Sequence, residues 1–153
     1  MSIGCSAISR PLATLRAAGL LLLVCAFAAP AALAAHAGTK SYSGKIEQGG
    51  TISFKAAVNH GRVTRVGTFN YRGVPTTCKS RFSGVVAGTA GGATVRHHTF
   101  VAKSVATGGQ HETVTGRFSS NYKKVSGTFR VTGNYPPYTG CTTGTDHWSA
   151  KRG

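Results

Sequence analysis

Beyond Leu33 the chain contains no leucine, and its one methionine is Met1. Everything that follows must therefore build a core without the two unbranched or γ-branched apolar residues that suit a helix best. Valine, threonine, phenylalanine, tyrosine, serine and glycine take their place, and these favour strands and turns. Apolar residues at helical spacing are hard to find, whereas alternation is frequent. Ile52, Phe54, Ala56 and Val58 point one way, with Ser53 and Lys55 between them. Val63, Arg65, Gly67, Phe69 and Tyr71 share one face of the next segment, and Val66, out of phase, marks a bulge. Val114, Gly116 and Phe118 alternate with Thr113, Thr115 and Arg117; Val125, Gly127, Phe129 and Val131 alternate with Ser126, Thr128, Arg130 and Thr132. The polar run Ser119-Ser120-Asn121-Tyr122-Lys123-Lys124 between them reads as a hairpin loop.

Further strands are expected at 40–47, 80–87, 93–104 (as one or two) and 143–151. Gly49-Gly50, Asn59-His60-Gly61, Gly91-Gly92, Gly108-Gly109 and Pro136-Pro137 punctuate them. This pattern predicts an all-β fold, an antiparallel β-sandwich or small meander barrel of about eight to nine strands. Trp148 alternates with Asp146 and Ala150 against His147 and Ser149, which places it in the core of the last strand; stacking on a ligand is its alternative role. A short motif recurs: apolar, Ser or Thr, Gly, any residue, apolar. It is seen as Tyr42-Ser43-Gly44-Lys45-Ile46, Phe82-Ser83-Gly84-Val85-Val86, Val114-Thr115-Gly116-Arg117-Phe118 and Val125-Ser126-Gly127-Thr128-Phe129. Glycine inside a strand weakens it, so its recurrence predicts close approach of an aromatic ring or sharp coiling of the sheet.

The N-terminus is organised differently. Arg10 and Arg16 give residues 1–16 a positive charge, Ala17 to Ala29 carry none, and Pro30 leads into AALAAHA. That is the layout of a secretory signal over residues 1–35, with cleavage after Ala34 or Ala37 and a single β domain over 38–153. An uncleaved anchor is the alternative; lipidation at Cys25 is disfavoured because Val24 stands where a small residue is needed. Cys5 and Cys25 leave with such a leader. Cys78 and Cys141 remain, an even count in an oxidising compartment, and predict one disulfide. Neither has a partner at C-x-x-C spacing, so redox or zinc chemistry lacks its usual ligands. The expected location is secreted, extracellular or associated with the cell envelope.

Several of these residues together carry a resemblance. Tyr42-x-Gly44 with Gln48-Gly49 and Ile52-Ser53-Phe54, the mid-chain Cys78, Val125 to Val131, and the ending Cys141-x-x-Gly144-x-x-x-Trp148-Ser149-Ala150-Lys151-Arg152 resemble a group of small secreted proteins from high-GC bacteria. The likeness runs over nearly all of 38–153. It implies a compact β domain and supplies no catalytic residues to transfer.

Charge points to a class of partner. The chain carries +15, and setting aside Arg10 and Arg16 leaves +13 against Glu47, Glu112 and Asp146 as the acids. Such an excess favours anionic surfaces or polymers: teichoic acids, acidic polysaccharide, anionic headgroups, extracellular nucleic acid. Basic and aromatic residues interleave at Arg65, Phe69, Tyr71 and Arg72, and at Arg117, Phe118, Tyr122, Lys123, Lys124 and Arg130. The candidate binding residues are therefore Arg65, Arg72, Arg117, Tyr122, Lys123, Lys124 and Arg130. An oligonucleotide-binding surface shows such a mix, although solvent-facing strand positions explain most of these cations equally well, and specific nucleic-acid recognition is not expected.

Enzyme chemistry has little material. A paired-carboxylate hydrolase would have to draw on Glu47, Glu112 and Asp146, and no G-x-S-x-G elbow occurs. His97 and His98, adjacent on a strand, would point to opposite faces and make poor joint ligands; a metal site would need His97, His111 and His147 to converge across strands. The expectation is a non-enzymatic binding domain without cofactor or metal. Its rival is a small-ligand carrier of calycin-like barrel type with Phe54, Phe69, Phe129 and Trp148 lining a cavity; a hydrolase ranks third.

Overall fold

The computed structural model describes residues 37–79 and 81–153; the export-signal reading of residues 1–35, including Cys5 and Cys25, lies outside them. No helix occurs among the described residues. Ten strands form one sheet: β1 (Gly38–Ile46), β2 (Thr51–Asn59), β3 (Arg62–Thr77), β4 (Ser83–Ala90), β5 (Ala93–Thr94), β6 (Thr99–Val105), β7 (His111–Phe118), β8 (Lys124–Tyr135), β9 (Tyr138–Thr142) and β10 (Asp146–Arg152). Every pairing is antiparallel, in the order β10-β1-β2-β3-β9-β8-β7-β6, with β4 and β5 added on β3. β10 also pairs with β8, so the path β10-β1-β2-β3-β9-β8 returns to its start. Its thinnest link is β3 to β9, a single pair, Thr77↔Thr142.

The segment 93–104 divides into two strands, β5 and β6, and one strand exceeds the sequence expectation: β9 (Tyr-Thr-Gly-Cys-Thr) offers no apolar alternation by which to recognise it. Within 93–104 the chain reverses at His97 and His98, both at positive φ (47° and 65°), between the bridged Arg96 and Thr99. These histidines form a two-residue hairpin turn, not strand positions on opposite faces. In the last segment Gly144, at φ 71°, delays the strand to Asp146.

The paired alternations hold in β7 and β8, and β2 buries Ile52, Phe54 and Ala56 as expected. β3 departs from a single face. Phe54↔Phe69 is followed by Ala56↔Val66, and Ala57↔Arg65 by Val58↔Val63, so β3 carries an extra residue twice. Each bulge reverses which parity faces inward. Val66 is thereby fully buried, and Arg65, read in sequence as lying with the apolar face, is exposed.

Aromatic rings fill the interior that leucine would otherwise occupy. Phe54 stacks on Tyr42 at 5.1 Å and meets Phe69 at 4.6 Å; Trp148 lies edge-on to both Phe54 and Phe69. Phe129 meets Tyr71 at 4.8 Å. Each such burial stabilises the fold by about 2–3 kcal/mol, with further gain from ring geometry. Trp148 Nε1 donates to the carbonyls of Thr115 and Thr128, 3.1 Å each, which satisfies its one polar atom. The recurring glycines answer the expectation of close approach. A Cβ on Gly116 would run into the rings of Phe100 and Trp148, while Cβ atoms on Gly44 and Gly127 would fall on the carbonyls of Ser149 and Thr115 in neighbouring strands. The backbones approach closely at β1/β10 and at β7/β8, and only glycine fits there.

Cys78 and Cys141 are bonded, joining the residue after β3 to β9. The disulfide therefore sits beside Thr77↔Thr142 and fastens the thinnest link in the pairing path. Its presence fits an oxidising compartment.

Candidate functional site

The three acids divide at once. Glu112 and Asp146 are buried, each 2% exposed, and Glu47 is exposed just past β1. Glu112 accepts hydrogen bonds from the Tyr71 hydroxyl (2.8 Å) and the Ser104 hydroxyl (2.6 Å). Burial, then the Glu112 carboxylate, push the Tyr71 phenol far above its ordinary range, and the same two causes raise Tyr135. Asp146 accepts the backbone N–H of Gln48 at 3.2–3.3 Å. Both inward carboxylates are thus held by phenol, hydroxyl and amide donors of the fold itself, an arrangement that ties strands together.

The outer face of β1, β10, β8 and β7 is built in the opposite sense. Alternation sends Ser43 and Lys45, Ser149 and Lys151, Lys124 and Ser126, and Arg117 outward from consecutive strands. Ladder register then sorts them into two rows. One row runs Ser43, Lys151, Lys124, with Ser119 set opposite Lys124 by its N–H bond to the Lys124 carbonyl (2.9 Å). The other runs Lys45, Ser149, Ser126, Arg117. Within each outer strand pair a cation stands across from a serine, and in the middle Lys151 faces Lys124. These residues line a groove of about 710 Å³ that none of the three acids borders. Its one aromatic lining residue, Phe118, is buried.

The hairpin joining β7 to β8 borders this groove. Its loop is held by the Ser119 hydroxyl, which accepts the Lys124 N–H at 3.0 Å and lies 2.9 Å from Asn121 Oδ1. The Tyr122 carbonyl accepts from the Tyr42 hydroxyl at 2.6 Å, anchoring the loop to β1. Burial raises the Tyr42 phenol, an effect that nearby Arg152 partly offsets. The Tyr122 ring is half-buried, stacked on His98 at 4.4 Å and packed on Phe118.

Of the residues singled out in sequence, the structure brings Arg117 and Lys124 into one groove, with Lys123 and Tyr122 in the adjoining loop. Arg130 continues the outer face of β8 four residues beyond Ser126, opposite Thr113. Arg65 and Arg72 do not join them: they stand on β3, opposite Ala57 and Thr51 of β2 and separated from β10 by β1 and β2. Sequence reasoning missed Lys45, Lys151 and the serines Ser43, Ser126 and Ser149. A signal was present, since three copies of the recurring glycine motif (in β1, β7 and β8) supply lining residues of this one groove. Phe54, Phe69, Phe129 and Trp148 are buried in the core described above. Among the described residues no group of three His, Cys, Asp or Glu side chains gathers to hold a metal ion. No family model matches the chain, and neither does any curated protein or solved structure with which it was compared.

Proposed function

We propose that this protein is a secreted, non-enzymatic binding domain that associates with anionic polymers of the cell envelope or its surroundings through the outer face of β1, β10, β8 and β7. The observation that carries this reading is the acid-free groove with four cations on four consecutive strands. A net charge of +13 without Arg10 and Arg16 of the leader supplies long-range attraction, and burial of Glu112 and Asp146 leaves that attraction little opposed at the surface. The disulfide and the signal-like leader of residues 1–35 support the location.

Sedimentation of the oxidised protein with an envelope fraction, repeated over a salt series, tests the proposal. Association is expected at low salt and should weaken steeply as ionic strength rises, since exposed charges are screened over about 10 Å at 0.1 M. Failure to sediment even at low salt would remove the proposal and bring the carrier reading forward.

A further inference from the structure

The two rows of the groove contain more order than a general attraction to polyanions requires. Directly opposed like charges weaken a strand pair, yet Lys151 and Lys124 face each other as the end pair of the β10–β8 ladder. Hydroxyls flank them on two sides: Ser43 across from Lys151, and Ser149 and Ser126 in the next row, while the Ser119 hydroxyl beyond Lys124 is taken up within its own loop. An ammonium is a compact point charge with rotatable donors, and a hydroxyl is a directed donor. A phosphate group uses both kinds, because its several oxygens each accept at separate angles. A carboxylate offers only two oxygens in one plane, whereas a phosphate can reach spaced lysines and serines together; the fork of Arg117 serves either anion.

Geometry narrows the ligand further. Adjacent strands lie about 4.8 Å apart and the two rows about 6.8 Å, so the grid spans roughly 14 Å across β1 to β7. That length suits a short run of consecutive phosphates along a flexible chain. Nucleobases would find no stacking platform, since the one aromatic lining residue is buried.

Resting on the envelope-binding reading above, we infer that the serine–lysine grid is a discrete site for a linear phosphate-bearing polymer without bases, with Lys151 and Lys124 as its central contacts and Lys45 and Arg117 at its ends. A phosphate seated between the central lysines turns a repulsive pair into two attractive ones. Ligand binding and sheet stability are thereby coupled at the same two residues.

The test uses the oxidised protein with inorganic polyphosphate as probe and polyglutamate as a carboxylate comparator, at low salt. The double variant Lys124→Gln/Lys151→Gln should lose about tenfold or more in polyphosphate affinity, the scale of one strong charge-assisted contact. Without ligand, the same variant should melt at a higher temperature than the parent. Arg65→Gln/Arg72→Gln removes equal charge elsewhere and should lose distinctly less. If the two double variants weaken binding equally, or polyglutamate binds as tightly as polyphosphate, the site is overturned while general polyanion association stands. If neither polymer binds, both readings fall.

Discussion

The grooved quarter of the sheet and the corner where β3 meets β9 solve the same closure problem by different means. At β1, β10, β8 and β7 the strands are joined by long ladders, five pairs between β1 and β10 and six between β10 and β8, and glycines let neighbouring backbones approach closely. At β3 and β9 one pair is formed, and a covalent bond between Cys78 and Cys141 stands beside it. Continuous hydrogen bonding leaves the outer face of the first region available for like charges, which the ladder can hold together. In the second region the disulfide does what the ladder does not. The nearby surface carries a stacked Phe82–Tyr138 pair, 3.9 Å apart, and Lys79, whose side chain lies against Gly140.

The largest test of this contrast is removal of the disulfide. Its 63-residue separation corresponds to about 4 kcal/mol in the chain-entropy model. Cys78→Ser/Cys141→Ser should lower the denaturant midpoint accordingly, and hydrogen exchange should show β9 and the end of β3 losing protection before β1, β10 and β8. Uniform loss of protection would mean that the two regions do not differ in how they are closed.

Gly44→Ala probes the other region. Its new Cβ meets the Ser149 backbone, which cannot yield as a side chain would, so a loss of about 2–3 kcal/mol is expected. Gly38→Ala, on the same strand with open space around it, should change stability by less than about 0.5 kcal/mol. Similar melting temperatures for the two variants would contradict the close approach of β1 and β10.

Alkaline titration reaches both regions at once. Tyr42 lies beneath the groove, and Tyr71 and Tyr135 are raised by burial and Glu112 towards the other side. A phenol whose folded pKa exceeds its unfolded value near 10 contributes stability that is intact below about pH 10 and declines as pH rises beyond it. Ultraviolet titration should show these phenols ionising above the ordinary tyrosine range, Tyr71 last, and Glu112→Gln should remove part of the upward displacement of Tyr71 and Tyr135 while leaving Tyr42 alone. Equal effects on all three would contradict the placement of Glu112.

The smallest effect belongs to the facing lysines. Lys151→Gln alone should stabilise the unliganded protein by a few tenths of a kcal/mol at low salt, fading as salt screens the pair. Destabilisation would show that Lys151 contributes packing that outweighs its repulsion of Lys124.

Much of the architecture is visible in the sequence because strand alternation is local. Val114 to Phe118 and Val125 to Val131 announce their inward faces within a few residues, and the glycine pairs announce the turns. The bulges of β3 are only half visible: Val66 breaks phase, but the second extra residue, between Arg65 and Val63, leaves no mark in composition. The groove was the least legible part. Lys124 and Arg117 lie near each other in the chain, whereas Ser43 reaches Lys151, and Ser149 reaches Ser126, only through registers set by long-range pairing. No local reading of Ser-Gly-Lys in β1 shows that Ser-Ala-Lys of β10 will lie against it in reverse.

That reversal makes the grid nearly palindromic. Crossing from β1 to β7, one row presents hydroxyl, ammonium, ammonium, hydroxyl, and the other presents cation, hydroxyl, hydroxyl, cation. A thread drawn across the strands encounters the same succession of groups whichever end enters first. Arg117 in place of a fourth lysine is the one difference between the two directions, and on its guanidinium rests whatever sense of polarity the surface has.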